Sequence, residues 1–253
     1  MKRKWKIVLI LSLIGNLCIF YVAYKALEYR AHINHFLDKY THVTAEFSER
    51  SVFEQDNARL KGSPPAGNRV VFFGTQVIKK WDLKRYFENY EPVNRGVAGQ
   101  RASGFLLRFK PDVIELEPMA VLIELSSYNF RPENTVKELE DYVSLIAQLS
   151  RVNGIEPILT TVIPPAVDVE VEGHGDYSVH DSLKVYNDWI RTYCTDNEYA
   201  LADFYSILAD SNGYLSGNLA SNAVEPNEEG YGLLSEAVLK TLQNVKVTAG
   251  LSD

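Results

Sequence analysis

The chain has 253 residues, of which 46% are hydrophobic, and this is enough apolar material for one large core or two small ones. Its net charge is −7 and its isoelectric point is near 5.4, whereas a nucleic-acid-binding surface requires a basic patch. Cys18 and Cys194 are far apart and lie in segments of different character, so no internal disulfide is expected. These totals argue against a nucleic-acid partner and against a disulfide-stapled scaffold.

The N-terminal segment has the pattern of a membrane anchor. Residues 7–24 carry no charged side chain, and as a helix they would span about 27 Å, roughly one hydrocarbon thickness. No small-x-small cleavage site follows, so an uncleaved signal anchor is predicted over residues 7–26. Four basic residues precede this segment, against Lys25 and Arg30 after it, which predicts that residues 1–6 are cytoplasmic. The predicted location is the inner or plasma membrane, crossed once, with a periplasmic or cell-surface C-terminal domain.

Residues 27–67 are predicted to form an amphipathic helical stalk that ends in a linker. Apolar side chains recur there at helical spacing: Ile33, Phe36, Leu37, Tyr40, Val43 and Phe47. This apolar stripe would permit self-association, and the Gly, Ser and Pro residues at 62–67 mark the predicted domain boundary. His32 and His35 share a helix face, but two histidines without a third ligand make a weak metal site. They are interpreted as surface residues, and no metal is expected.

From residue 68 onward, short apolar runs alternate with helical patterns. Strands are predicted at residues 70–73, 92–94, 120–125, 157–162 and 200–204. Helices are predicted at residues 77–89, 104–109, 136–153, 182–197 and 229–245. This alternation indicates parallel strands with crossover helices, hence a three-layer α/β/α sandwich over residues 68–247, followed by a tail at 248–253. Because ligands bind at the carboxyl ends of such strands, residues 74–76 are expected at the functional site.

Four sequence blocks in the domain resemble those of the SGNH or GDSL-type hydrolases. They are Phe-Gly-Thr-Gln at 73–76, followed by Trp81; Asn-Arg-Gly-Val-Ala-Gly at 94–99; the strand and loop at 121–129; and Asn-Ala-Val-Glu-Pro-Asn at 222–227. The family has Phe-Gly-Asp-Ser, Asn-x-Gly-Ile-Ser-Gly, a strand ending in Gly-Thr-Asn, and Asp-Gly-Val-His-Pro-Asn in this order. The resemblance implies a flavodoxin-like sheet of five parallel strands and an acyl-ester hydrolase without a cofactor.

The resemblance also implies which residues stand at the family's catalytic positions. In such enzymes a serine attacks the ester carbonyl, a histidine takes its proton, and an aspartate orients that histidine. These positions correspond to Gln76, Glu225 and Asn222 respectively. The two positions that help to hold the oxyanion correspond to Gly99 and Asn129, and both residue types are kept. Because an amide nitrogen cannot form an acyl-enzyme, ordinary serine-esterase activity is not expected.

Other polar residues near the predicted strand ends are weaker candidates for catalysis. Thr75 adjoins the nucleophile position, but its side chain should point elsewhere along the turn, which argues against it as a substitute nucleophile. It is assigned to substrate binding. Ser126 and Ser127 are interpreted as shaping the loop after the third strand. His174 and His180 fall in the long loop after the fourth strand and are interpreted as surface residues.

Three functions are consistent with these residues. The first is a membrane-anchored head that has lost serine catalysis and binds an acylated saccharide or lipid of the cell envelope. The second is a hydrolase or acyltransferase with a non-standard site, in which Glu225 activates water. The third is a structural protein whose cleft is vestigial and filled by a hydrogen-bonded pair of Glu225 and Gln76.

Overall fold

The structure is a computed structural model that describes residues 3–44, 49–63, 67–167 and 176–248. By its contacts the chain divides into two compact units, Met1–Phe47 and Ser48–Asp253. The first unit is built from one long helix, α1 (Arg3–Thr44). The second unit contains a parallel β-sheet with helices on its faces.

Helix α1 includes a stretch, Lys4–Phe36, that is long and apolar enough to cross a membrane. The mean hydropathy of its most apolar window is 2.3, and none of that window is buried. Large apolar side chains such as Leu17 and Phe20 are therefore exposed along it. Its length and composition agree with the predicted single membrane crossing. Signal sequences have a similar length and composition.

The chain between the long helix and the sheet contains a second helix that packs on the α/β unit. A 3-10 turn at Arg50–Phe53 leads into α2 (Glu54–Lys61). Leu60 of α2 belongs to the hydrophobic core, and Asn57 is buried beside it. The sequence assigned these residues to the stalk, because a mostly polar, charged segment gives no signal of such burial.

Five parallel strands form the sheet in the order β2-β1-β3-β4-β5. The strands are β1 (Arg69–Gly74), β2 (Glu91–Gly96), β3 (Ala120–Ile123), β4 (Glu156–Thr160) and β5 (Ala200–Ala202). The predicted α/β/α sandwich with its flavodoxin-like sheet is confirmed. Every predicted strand is present, with its ends shifted by a few residues.

Strand β1 lies between β2 and β3 in the sheet and is buried on both faces. Val71 and Phe73 belong to the core on one face, whereas Val70 and Phe72 belong to the core on the other. Their alternation follows from the two-residue period of a strand, and burial on both faces is why the run is continuously apolar. Packing on both faces therefore holds the carboxyl end of β1, at Gly74, in a defined position.

The remaining helices cover the two faces of the sheet. They are α3 (Gln76–Lys80), α4 (Leu83–Tyr86), α5 (Ala102–Asp112), α6 (Val136–Val152), α7 (Val179–Asn197), α8 (Phe204–Leu208) and α9 (Glu228–Thr248). Helix α6 begins with a capping box, in which Thr135 and Glu138 each bond the other's backbone N–H. The prediction of one helix at 77–89 is wrong, since α3 and α4 are separate. Trp81 between them is extended, and its ring packs against Phe72 and Phe87.

Candidate functional site

The turn after β1 is built around a buried carboxyl group that follows β3. Thr75 donates its backbone N–H to Glu124 Oε2 at 2.7 Å and its hydroxyl to the same oxygen at 2.9 Å. Both residues are about 1% exposed. Gly74 permits this arrangement, because a Cβ there would lie 2.5 Å from Glu124 Oε2. Thr75 therefore faces inward, and the structure gives its side chain no exposed surface for a substrate.

Burial decides the titration of Glu124. Desolvation raises the pKa of its carboxyl group to about 7, although the two hydrogen bonds from Thr75 act in the opposite direction. Sequence reasoning assigned no role to Glu124. The available signal was an acidic residue directly after the apolar run of β3, at the carboxyl edge of the sheet.

The three residues at the triad positions lie together at this edge. Glu225 accepts hydrogen bonds at Oε2 from Asn222 Nδ2 at 2.5 Å and from Lys80 Nζ at 2.7 Å. The side chain of Gln76 is also hydrogen-bonded to Glu225. The Glu225 side chain is 7% exposed, whereas that of Lys80 is half exposed. The carboxylate is thus largely buried and is paired with a more exposed cation.

The electrostatics of this cluster keep Glu225 ionised. Burial alone would raise the pKa of its carboxyl group, but the hydrogen bonds from Lys80, Asn222 and Gln76 together lower it below its usual value. A general base works best when its pKa lies near the operating pH. Glu225 is therefore a weak base, and neither the Gln76 amide nor the Asn222 amide supplies a nucleophile.

The two oxyanion-hole positions differ in accessibility. Gly99 is exposed and has a φ of 72°, and a Cβ added there would meet no atom within 4 Å. Asn129 is fully buried: its Oδ1 accepts from the backbone N–H of Ala102 at 2.7 Å, and its Nδ2 donates to the carbonyl of Gln100 at 3.4 Å. Asn129 therefore holds the loop that carries Gly99.

A buried arginine also supports the turn after β1. Arg108 of α5 donates to the Gly74 carbonyl at 3.2 Å, to Gln100 Oε1 at 2.5 Å and to Asp112 Oδ2 at 2.9 Å. Its guanidinium carbon lies 4.1 Å from the centre of the Phe73 ring. Desolvation lowers the pKa of Arg108 to about 10, while Asp112 opposes the shift. Sequence patterns gave no sign of this group.

The histidine candidates are distributed differently from the prediction. His180 lies near the start of α7, is 6% exposed, and stacks on Tyr214 at 4.5 Å, so the interpretation of it as a surface residue is wrong. His174 lies outside the described residues. His32 and His35 are exposed on α1, and the described residues contain no group of three or more metal-ligating side chains.

A separate groove of about 840 Å³ lies at the amino ends of β3, β4 and β5. Its lining includes Met119, Arg151, Gly154, Glu156 and Tyr199. Because the strands are parallel, this is the edge of the sheet opposite to Gln76 and Glu225. The groove is therefore distinct from the triad positions.

Comparison with known proteins agrees with this geometry. The model of the GDSL-like lipase/acylhydrolase family matches residues 73–233, and the chain belongs to that family. A GDSL-like lipase from Bacteroides thetaiotaomicron is 25% identical with a TM-score of 0.69, over 78% of this chain and 98% of that one. A Bacteroides fragilis protein assigned as an acylhydrolase is also 25% identical with a TM-score of 0.69, over 78% and 97%.

A third solved structure, a member of the lipolytic G-D-S-L family from Veillonella parvula, is similar in fold. It is 14% identical with a TM-score of 0.53, over 68% of this chain and 96% of that one. No curated protein matches the chain.

Proposed function

We propose that this chain is a membrane-anchored GDSL-family protein of the cell envelope that has lost serine-esterase catalysis and binds an acylated saccharide or lipid. The observation that carries the proposal is the closed cluster at the triad positions. Glu225, at the position of the base, is paired with Lys80 and bonded by Asn222 and Gln76. No hydroxyl or thiol nucleophile stands at these three positions.

The placement of the protein is part of the same proposal. The apolar stretch of α1 supports a single membrane crossing, and the excess of basic residues before it supports a cytoplasmic N-terminus. The GDSL-family unit then faces the periplasm or the cell surface, where acylated glycans and lipids occur. Exposed apolar side chains of α1 beyond the predicted anchor, such as Ile33, also support self-association through the stalk.

The alternative of a hydrolase that uses Glu225 to activate water has less support. A water-activating carboxylate needs a free lone pair directed at the water and a pKa near the operating pH. The carboxylate of Glu225 is instead engaged by three donors, Lys80, Asn222 and Gln76, and its pKa is lowered. We therefore propose binding rather than turnover.

The ligand is proposed to lie on the exposed loop after β2. Gly99 is the accessible one of the two oxyanion-hole positions, and a backbone N–H at a glycine with positive φ can approach a ligand carbonyl closely. Replacing Gly99 with asparagine should preserve the turn, because asparagine tolerates positive φ, but should place a side chain over the site. We expect an affinity loss of about tenfold or more, equivalent to at least one lost hydrogen bond.

This expectation is checked by titrating the full-length chain in detergent micelles with an O-acetylated oligosaccharide and with a short-chain acyl lipid. Gly154→Asn is the matched control, since Gly154 has a φ of 73° and equally open surroundings at the opposite edge of the sheet. Saturable binding that Gly99→Asn weakens and Gly154→Asn does not would support the proposal. If only Gly154→Asn weakens binding, the ligand binds in the groove at the opposite edge of the sheet. If no saturable binding is found, the protein is a structural one with a vestigial cleft.

A further inference from the structure

Helix α2 sends a polar side chain into the α/β unit, where it joins two buried charged groups. Asn57 is 3% exposed. Its Nδ2 donates to Asp112 Oδ1 at 2.6 Å, and its Oδ1 accepts from Arg95 Nη2 at 2.7 Å and from Arg95 Nε at 3.0 Å. Asn57 is therefore the bridge between a cation on β2 and an anion on α5.

The bridge continues to the strand-end site. Asp112 is fully buried and pairs with Arg108, which in turn donates to the Gly74 carbonyl and to the Gln100 side chain. Gly74 ends β1 immediately before the turn, and Gln100 lies one residue after the exposed Gly99. One continuous set of buried hydrogen bonds thus runs from α2 to both segments that form the site.

Two further contacts hold α2 in this place. The carboxylate of Asp56, the residue before Asn57 on α2, accepts a hydrogen bond from Arg95 Nη2 at 2.8 Å. The Arg95 guanidinium carbon also lies 4.7 Å from the centre of the Phe53 ring, just before α2. Because Arg95 and Asp112 are desolvated, the loss of Asn57 would leave buried donors and acceptors unsatisfied, which costs far more than the loss of a solvated bond.

We propose that α2 is a positioning element of the strand-end site, so that a displacement which withdraws Asn57 loosens the turn at Gly74 and the loop at Gln100. This positioning role holds whether the site binds or hydrolyses its ligand, since it rests on the contacts of the α/β unit alone.

The test is hydrogen–deuterium exchange, followed by mass spectrometry, on the full-length chain in detergent micelles. Asn57→Ala is expected to speed exchange by about tenfold in peptides covering residues 73–81 and 97–105, because a buried hydrogen-bond network is broken. Peptides covering β4 and β5 should keep the exchange rates of the unmodified chain. Asp56→Ala, which removes a partner that is 40% exposed, should give the same pattern with a smaller amplitude.

The matched control is another buried asparagine, on a helix that packs against the other half of the sheet. Asn187 of α7 is 1% exposed and bonds both the N–H and the carbonyl of Val162, at 2.7 and 3.1 Å. Asn187→Ala should speed exchange after β4 and leave residues 73–81 unchanged. The proposal is overturned if Asn57→Ala or Asp56→Ala speeds exchange only within residues 49–63, or equally throughout the unit.

Discussion

Replacing Arg108 with methionine is expected to lower the free energy of unfolding by about 3–5 kcal/mol, because it leaves a buried carboxylate without its cation. The Asp112 side chain has no exposed surface, and Arg108 is its ion-pair partner at 2.9 Å. The Gly74 carbonyl and the Gln100 side chain would each lose a donor as well. The effect is large compared with the total stability of about 5–15 kcal/mol that is typical of a domain.

The measurement is the urea unfolding midpoint of the full-length chain in detergent, with unfolding monitored by near-ultraviolet circular dichroism. Arg85→Met is the surface control, since Arg85 pairs with Glu228 while 58% of its side chain is exposed. That variant should unfold close to the unmodified chain. A double variant, Arg108→Met with Asp112→Leu, should recover part of the loss because it removes both charges together. Equal midpoints for Arg108→Met and Arg85→Met would contradict the assigned role of Arg108.

Replacing Glu124 with glutamine is expected to stabilise the protein, relative to the unmodified chain, more at pH 8 than at pH 4.5. Burial raises the pKa of Glu124 to about 7 in the folded chain, from an ordinary value of 4.5. As the pH rises, the unfolded chain therefore loses this proton before the folded chain does. The free energy of unfolding falls between about pH 4.5 and pH 7 and stays at its lower value above that range. A shift of this size corresponds to about 3 kcal/mol. Glutamine cannot ionise, and its amide oxygen can still accept the N–H of Thr75.

The check is the difference in unfolding free energy between Glu124→Gln and the unmodified chain, measured from pH 4.5 to pH 8. This difference should move in favour of the variant as the pH rises. Glu225→Gln is the control, because the pKa of Glu225 is lowered and the stability from its ion pair is fully present above its unfolded pKa of about 4.5, so the difference for this variant should stay unfavourable and constant over the same pH range. A pH-independent difference for Glu124→Gln would show that the carboxyl group does not titrate as its burial requires.

The sheet was predictable because its strands carry their own signal. The run at β1 is continuously apolar, since Val71 and Phe73 enter one core while Val70 and Phe72 enter the other. The break between α3 and α4 was not predictable. It depends on the ring of Trp81, which packs against residues as distant in sequence as Phe204 and Tyr231. Local periodicity does not contain such contacts.

The candidate site was predictable only as far as the family resemblance reached. That resemblance picked out Gln76, Asn222 and Glu225, which the structure brings together. It could not supply Lys80, the ion-pair partner that lies 145 positions from Glu225 in the sequence. The burial of Glu124 likewise depends on the packing of neighbouring strands rather than on any local pattern.

Acyl-ester turnover by the full-length chain tests the loss of catalysis most directly. Rates with a 4-nitrophenyl acyl ester are compared for the unmodified chain, for Glu225→Gln, and for the triple variant Gln76→Ser, Asn222→Asp, Glu225→His. We expect equal rates for the first two and a gain of at least about tenfold for the triple variant, which restores a nucleophile, a base and an orienting acid. Turnover by the unmodified chain that falls by about a hundredfold in Glu225→Gln, as the loss of a general base requires, would contradict the account.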